Sequence, residues 1–321
     1  MMKITVVMAC NEQYAMPLAT ALRSMVEANR TGKCFEIFVL TSDFSPRMRQ
    51  RVLNSMPKGL ASVRWVPVDL APFEEFSPPP YLAYLSKMTY VRLLLPQFLP
   101  DSVSKVLYLD ADILVLGDMG PLWEIDLEGA AFGAVIDYLS QVHAERLGLG
   151  ANLKDRRHGS EAAPDVCEYF NAGVLLVDLV RWRQEKISEK AMEYMIRNPG
   201  TLVADQDALN VACGGLWKKL DVQWNFQDHH PGGYSGMRPE QRPSIIHFAG
   251  KWKPWNAAIP SVNASFYDGF RTCTQFARTP GEKARDTAQH SWALLKRFLK
   301  RYKLISHIHN YFARPKTADG S

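Results

Sequence analysis

The sequence predicts an α/β protein built on an open, mostly parallel sheet with helices on both faces. Two observations carry this reading. Strand-like runs alternate with helical patterns through the first half, and the runs are rich in Leu, Ile and Val, as buried strands are. With 321 residues, the chain is also long enough to bury a large core.

The elements follow in order. KITVVMAC reads as a first buried strand, followed by a helical stretch near 15–28. FEIFVLTSD is a second strand, leading to a helix near 46–55, and ASVRWVPVDL is a third. A loop carrying Pro78, Pro79 and Pro80 precedes SKMTYVRLLLPQFL, which has helical spacing, and KVLYLDADILVL is the next strand. AAFGAVIDY and AGVLLVDL continue the sheet, with the polar stretch 146–166 as a surface excursion between them. Residues 201–214 read as a helix opening near Asp205 and stopped by Gly214 and Gly215, and PSIIHFAGKWKPW is a short strand running into a turn. In such sheets ligands bind beyond the carboxyl ends of the strands, where loops diverge.

Composition narrows the class. A hydrophobic fraction of 47% and a charged fraction of 22% are those of an ordinary globular protein. The first apolar run is too short for a signal-peptide core, and no stretch reaches the ~18 apolar residues of a spanning helix. Cysteines 10, 34, 167, 213 and 273 are odd in number and without CxxC spacing, which fits the cytoplasm and argues against a cysteine zinc site. The net charge of +5 is uneven: residues 283–316 hold nine Lys or Arg against Asp286 alone, so this segment is +8 and the remainder −3. Near 277–290 the composition shifts. Residues 1–262 are read as the main domain, and residues 263–321 as a helical, basic segment.

Two stretches carry chemistry. In YLDADILVLGD, Asp110 and Asp112 interrupt an apolar strand, where a carboxylate is costly unless paired or opening onto a site. Residues i and i+2 of a strand share a face, so both acids project together with Ala111 turned away. Paired carboxylates suit a divalent cation, Mn²⁺ or Mg²⁺; end caps or arginine partners are the simpler explanation of any isolated D-x-D. In HFAGKWKPW, His247 ends an apolar strand, and Gly250, Lys251 and Lys253 follow. Gly permits close backbone approach to an anion and Lys supplies a point charge for phosphate. Were His247 to face the two acids, the O/O/N set would suit Mn²⁺. Trp252 and Trp255 are read as packing residues.

YLDADILVLGD, YFNAGVLLVDLVRW, DQDALN and HFAGKWKPW, in that order, resemble glycosyltransferase family 8, with VVMACNEQY fitting the family's nucleotide-binding start. The resemblance runs from about residue 3 to about residue 260. It implies a GT-A type, Rossmann-like mixed sheet and a retaining, metal-dependent hexosyltransferase. Position by position it implies that Asp110, Asp112 and His247 bind Mn²⁺ or Mg²⁺ and that Ala9, Asn11 and Tyr14 meet the uracil and ribose of a UDP-sugar. Ala111 belongs to the same donor-binding D-x-D segment. Lys253 and the Gly250 backbone would hold the diphosphate, and Arg92 would lie near the donor sugar and phosphates. Asn171, Asp205 and Gln206 would surround the transferred hexose, and Asp137 would face the acceptor. Asn11 stands where Asp is more usual and Gln13 where Asn is common; the Asn11 amide oxygen can still accept from the uracil N–H. Gln206, a neutral amide, is a poor nucleophile, so the reading favours attack on the same sugar face as the departing UDP.

The tail HSWALLKRFLKRYKLISHIHNYFARPK is amphipathic, with Trp, Phe and Leu on one face and Lys and Arg on the other. Two readings stand: a helix lying on an anionic membrane surface through 283–316, and a helix packed on its own domain. The resemblance favours the membrane, at the inner face of the plasma membrane, with a glycolipid or oligosaccharide acceptor such as lipopolysaccharide core. No nucleic-acid-binding motif accompanies the charge. The alternatives are a glycogenin-like self-glucosylating primer and a non-catalytic sugar-nucleotide-binding protein. A nucleotidyltransferase would be expected to carry a Gly-rich triphosphate loop where this chain has ACNEQY.

Overall fold

The computed structural model describes residues 3–149, 168–228, 243–251, 253–256 and 263–312. Among these, the strands β1 (Lys3–Ala9), β2 (Cys34–Thr41), β3 (Ala61–Pro67), β4 (Lys105–Leu109), β6 (Phe132–Ile136), β7 (Phe170–Asp178) and β8 (Trp217–Lys219) form one sheet in the order β3-β2-β1-β4-β7-β6-β8. β1 to β4 run parallel and β6 pairs parallel with β8, while β7 runs antiparallel to both β4 and β6. The sheet is mixed and mostly parallel, as the sequence predicts. A second, small sheet joins β5 (Ile113–Val115), β10 (Ile245–His247) and β9 (Phe226–Gln227), with β10 in the middle.

The two-residue period of a strand explains how one sheet serves two cores. On one face Ile4, Val6, Met8, Leu107 and Leu109 pack with Leu18, Leu22 and Met25 of the helix Ala15–Ala28. On the other, Val7, Val106, Tyr108, Leu175 and Val177 pack with Trp182, Met195 and Leu209 of the helices that follow β7. β4 is therefore buried on both sides, which is why its sequence is apolar without alternation.

The SKMTYVRLLLPQFL stretch is helical, as its spacing predicts, in the 3₁₀ form over Lys87–Gln97 with a kink at Leu94. Pro96 lacks an N–H, and in regular α geometry its ring would crowd the Arg92 carbonyl four residues back, which fits the kink at Leu94. The helix Ala204–Ala212 lies where the sequence places it and is followed by Gly214 and Gly215, both with positive φ. The 146–166 excursion lies largely outside the described residues, as does Trp252. Trp255 packs as expected, edge-on to Tyr14 and against Tyr267.

After the helix Ala264–Thr272, which buries Tyr267, the chain packs back on the first two helices: Arg23 donates to the Cys273 carbonyl and Arg51 to that of Gln275. A long helix, Pro280–Phe312, closes the described chain, and no described helix is long and apolar enough to cross a membrane.

Candidate active site

KVLYLDADILVL is two strands, not one. β4 ends at Leu109 in the large sheet and β5 begins at Ile113 in the small one, so Asp110-Ala111-Asp112 is the turn that carries the chain between sheets. The break falls where different partners claim the backbone: Asp110 N–H donates to the Gly173 carbonyl at 2.8 Å, and the Asp112 carbonyl accepts from Phe248 N–H at 2.9 Å. Ala111 is buried in the apolar core on the far side, while the two carboxylates converge. β5 pairs antiparallel with β10, and the register sets His247 opposite Ile113. A residue 135 positions after Asp112 is thereby delivered to the two acids. One ligating atom from each of Asp110, Asp112 and His247 lies within 4.8 Å of the other two, a group that could hold a metal ion.

Fixed cations accompany these acids. Arg92 is buried and bridges two carboxylates, with Nη2 2.8 Å from Asp110 Oδ1 and Nε 2.8 Å from Asp205 Oδ2. Its Nη1 also donates to the Ala172 carbonyl at 2.7 Å, and its guanidinium lies over the Tyr108 ring. Lys253 Nζ donates to Asp112 and to the Phe248 carbonyl. The two acids therefore differ. Burial raises the Asp110 carboxyl above the ordinary Asp range, against the opposing charge of Arg92, which it shares with Asp205. Burial acts on Asp112 too, but Lys253 and then His247 outweigh it and hold this carboxyl well below the usual range. Asp112 is thus the firmer anion of the pair.

Gly173 was not singled out in the sequence, although it lies inside NAGV. A Cβ there would come within 2.2 Å of His247 Cε1 and 2.8 Å of Asp110 Oδ2, so only glycine leaves room for both side chains.

Behind the acids lies a connected group of amides. Asp137, at the end of β6, accepts at Oδ2 from Asn171 Nδ2 (3.1 Å) and Gln206 Nε2 (3.2 Å), and at Oδ1 from Leu139 N–H (3.0 Å). Gln206 Oε1 accepts from Ala172 N–H at 3.0 Å. Asp205 is less available than the sequence suggests. It is buried, and both its oxygens are engaged, one by the Thr89 hydroxyl at 2.7 Å and the other by Arg92. The residue that starts this helix, Ala204, has φ +49°, a left-handed conformation that costs a non-glycine residue ~1–2 kcal/mol and sets the direction of the Asp205 and Gln206 side chains. Asn225, fully buried and unmarked in the sequence, joins this group to the acids through His247 Nδ1 at 2.9 Å.

Ala9 closes β1, opposite Leu40 of β2. Asn11 Oδ1 is buried without a hydrogen-bond partner, an acceptor held ready for a donor. Burial pushes the Tyr14 phenol up, and the charges of Asp112 and Asp110 push it further. Burial and then the Asp112 charge likewise raise Tyr84, which the sequence gave no reason to select. Gly250 has φ +80°, with open space where a side chain would stand.

The glycosyl transferase family 8 profile matches residues 5–258, most of the chain and every site residue above. The chain belongs to glycosyl transferase family 8. Among curated proteins it is 29% identical over 260 residues to glycosyltransferase GlyF of Streptococcus pneumoniae, covering 79% of this chain and 58% of that protein. It is 26% identical over 266 residues to general stress protein A of Bacillus subtilis, covering 78% and 87%. Lipopolysaccharide 1,2-glucosyltransferase of Escherichia coli is 26% identical over 240 residues, covering 71% and 64%. The chain thus spans little more than half the length of GlyF. Among solved structures, galactosyltransferase LgtC in complex with donor and acceptor sugar analogs superposes with a TM-score of 0.70 at 26% identity, covering 88% of this chain and all of that one. The fold is the GT-A type.

Proposed function

We propose that the protein transfers a hexose, glucose or galactose, from a UDP-sugar to a glycan acceptor with retention of configuration, using a divalent cation, Mn²⁺ or Mg²⁺. The observation that carries this reading is the convergence of Asp110, Asp112 and His247 at one sheet junction, with Lys253 on one side and the Gln206–Asp137–Asn171 group on the other. Two carboxylates and an imidazole are a donor set that fits such a cation. Bound there, the cation would act as a Lewis acid on the diphosphate as negative charge grows on the leaving UDP.

The chain's own groups do the rest. The Asn11 oxygen accepts from the uracil, Tyr14 and Ala9 flank the nucleoside, and the Gly250 backbone admits the diphosphate. Lys253 is positioned to exchange its Asp112 partner for a phosphate oxygen as the diphosphate arrives. Arg92 stays in place, keeping Asp110 and Asp205 compensated in a dry pocket. Gln206 presents a neutral amide, held by Ala172 N–H and Asp137, toward the sugar; it orients the hexose and stabilises positive charge at the anomeric carbon without attacking it. Asn171 and Asp137 hold the sugar and acceptor hydroxyls. Replacing Gln206 by Glu and finding a stable glycosyl-enzyme at that position would argue instead for a covalent route.

The named relatives favour glucose or galactose as the sugar, and a bacterial surface glycan such as lipopolysaccharide core as the acceptor. The exposed Trp292, Leu294, Leu295, Phe298 and Leu299 on the final helix, with Lys296 over the Trp292 ring, support its lying on an anionic membrane surface. Each basic residue near such a surface adds ~1 kcal/mol, so removing 283–321 should release the protein from anionic vesicles.

The deciding experiment is a screen of UDP release with Mn²⁺ across UDP-glucose, UDP-galactose and their N-acetyl forms. Turnover with one of the first two is expected; turnover with none of the four would overturn the reading.

A further inference from the structure

We infer that Asn225 is a positioning residue for the cation site: it holds a proton of His247 on Nδ1 and so leaves Nε2, on the side of Asp110 and Asp112, as the nitrogen that gives its lone pair to a cation. The inference rests on the metal-site reading above, and the observation behind it is a hydrogen-bond chain whose direction two backbone groups dictate.

The chain can be followed atom by atom. Gly173 N–H donates to the Asn171 side chain at 3.0 Å. A backbone N–H can only donate, so the Asn171 atom facing it is the oxygen, and the Asn171 NH₂ faces the Asp137 carboxylate at 3.1 Å. Ala172 N–H fixes the Gln206 amide in the same way, leaving its NH₂ for the same Asp137 oxygen. The orientations agree at every step, so neither amide can be turned over without setting oxygen against oxygen.

Asn171 Oδ1 also lies 2.9 Å from one end of the Asn225 amide. That end must be the NH₂, because the oxygen it meets can only accept. The other end, Asn225 Oδ1, is left 2.9 Å from His247 Nδ1. Two lone pairs at this distance would repel, so Nδ1 carries a hydrogen and donates. The remaining ring nitrogen, Nε2, faces Asp112 Oδ1 at 3.4 Å and Asp110 Oδ2 at 3.8 Å. An imidazole held by its Nδ1 proton offers Nε2 to a cation without turning its ring, the cation displacing any proton that Nε2 shares with the two carboxylates, and the burial of Asn225 excludes water that could substitute for it.

The chain has a second consequence. It runs His247–Asn225–Asn171–Asp137–Gln206, joining the cation site to the amide placed near the reacting carbon. Asn225 serves the two ends with different atoms: its oxygen holds His247 and its NH₂ holds Asn171. Substitutions can therefore separate them. Asn225→Leu removes both contacts at similar volume. Asn225→Asp keeps an acceptor for Nδ1–H but sets a carboxylate oxygen against Asn171 Oδ1.

The test measures Mn²⁺ affinity by titration calorimetry on the chelator-stripped full chain and both variants, with thermal unfolding in chelator as the check on folding. Asn225→Leu is expected to weaken Mn²⁺ roughly 10- to 100-fold, and Asn225→Asp to stay within about threefold of wild type while lowering kcat more than its effect on Mn²⁺. Affinity of Asn225→Leu within about twofold of wild type, or an equal loss in both variants, would overturn the inference. A second readout needs neither metal nor variant. Long-range ¹H–¹⁵N correlation on the wild type, at a pH where the imidazole carries one proton, should show that proton on Nδ1; finding it on Nε2 would overturn the assignment. Absence of Mn²⁺ binding by the wild type would count against the metal-site reading, with the ¹⁵N spectrum still deciding the role of Asn225.

Discussion

The chain contains two D-x-D stretches, Asp110-Ala111-Asp112 and Asp205-Gln206-Asp207, and the backbone beneath them gives the same spacing opposite outcomes. In the turn between two sheets the carboxylates of Asp110 and Asp112 converge on His247. On the first turn of a helix, residues two apart stand about 200° apart around the axis, so the second pair diverges. Asp205 reaches Thr89 and Arg92. Asp207 reaches the other way and is saturated: it accepts from Arg146, the Tyr169 hydroxyl at 2.7 Å, the Thr201 hydroxyl and Val203 N–H at 3.0 Å. The first pair leaves coordination open for a ligand, and the second holds the helix that presents Gln206. They meet at Arg92, one guanidinium between Asp110 and Asp205.

The contrast breaks most sharply under substitution of one acid from each stretch. Asp112→Asn should lower turnover on the order of 10³-fold, since the cation's charge stabilisation is worth several kcal/mol and each ~1.4 kcal/mol is tenfold. Its thermal midpoint should fall less than that of Asp207→Ala, because Asn keeps a side-chain oxygen beside the buried Lys253, which also donates to the Phe248 carbonyl. Asp207→Ala should do the reverse, losing about 3 kcal/mol of stability by denaturant unfolding as Arg146 and two hydroxyls lose their acceptor. The folded fraction of Asp207→Ala should keep most of its Mn²⁺ affinity. If Asp112→Asn proved the destabilised variant and Asp207→Ala the one without cation binding, the two roles would have to be exchanged.

Gly173→Ala sharpens the comparison from the open side. The added methyl must displace His247 or Asp110, so about 2 kcal/mol of stability and at least about tenfold in Mn²⁺ affinity should be lost. Both are read in one titration series.

The smallest effect is on acid stability. Despite burial, Arg146, the hydroxyls of Thr201 and Tyr169 and the Val203 N–H hold the Asp207 carboxyl below its ordinary value. A depressed folded pKa contributes stability that is present above the unfolded Asp value of ~3.9 and is lost as pH falls through the lower folded value. Wild type should therefore lose this contribution only below about pH 4, and Asp207→Asn should show a shallower decline over that range. Equal slopes would mean that Asp207 carries no such linkage.

Much of this arrangement was legible in the sequence, for reasons particular elements make plain. β1, β2, β4 and β7 could be read because strands buried on both faces are apolar runs bounded by polar turns. His247 could be joined to Asp110 and Asp112 because their motifs resemble the family's in order. The break at the acids was hidden, since β5 continues the apolar run of β4 and leaves the large sheet only because it pairs with β10, far along the chain. Asn225 was invisible for a related reason: its partners Asn171 and His247 are 54 and 22 residues away. Asp205 and Asp207 could be placed in the first turn of a helix, but which of them faced the site depended on the left-handed Ala204, which no local pattern announced.

The most direct test of the central claim is UDP release from UDP-glucose and UDP-galactose by the full chain, stripped with a chelator and then supplied with Mn²⁺. The account predicts that turnover stops in chelator, returns with Mn²⁺ in wild type, and does not return in Asp112→Asn. Turnover that continues unchanged in chelator, or that Asp112→Asn sustains, would contradict a cation site at Asp110, Asp112 and His247.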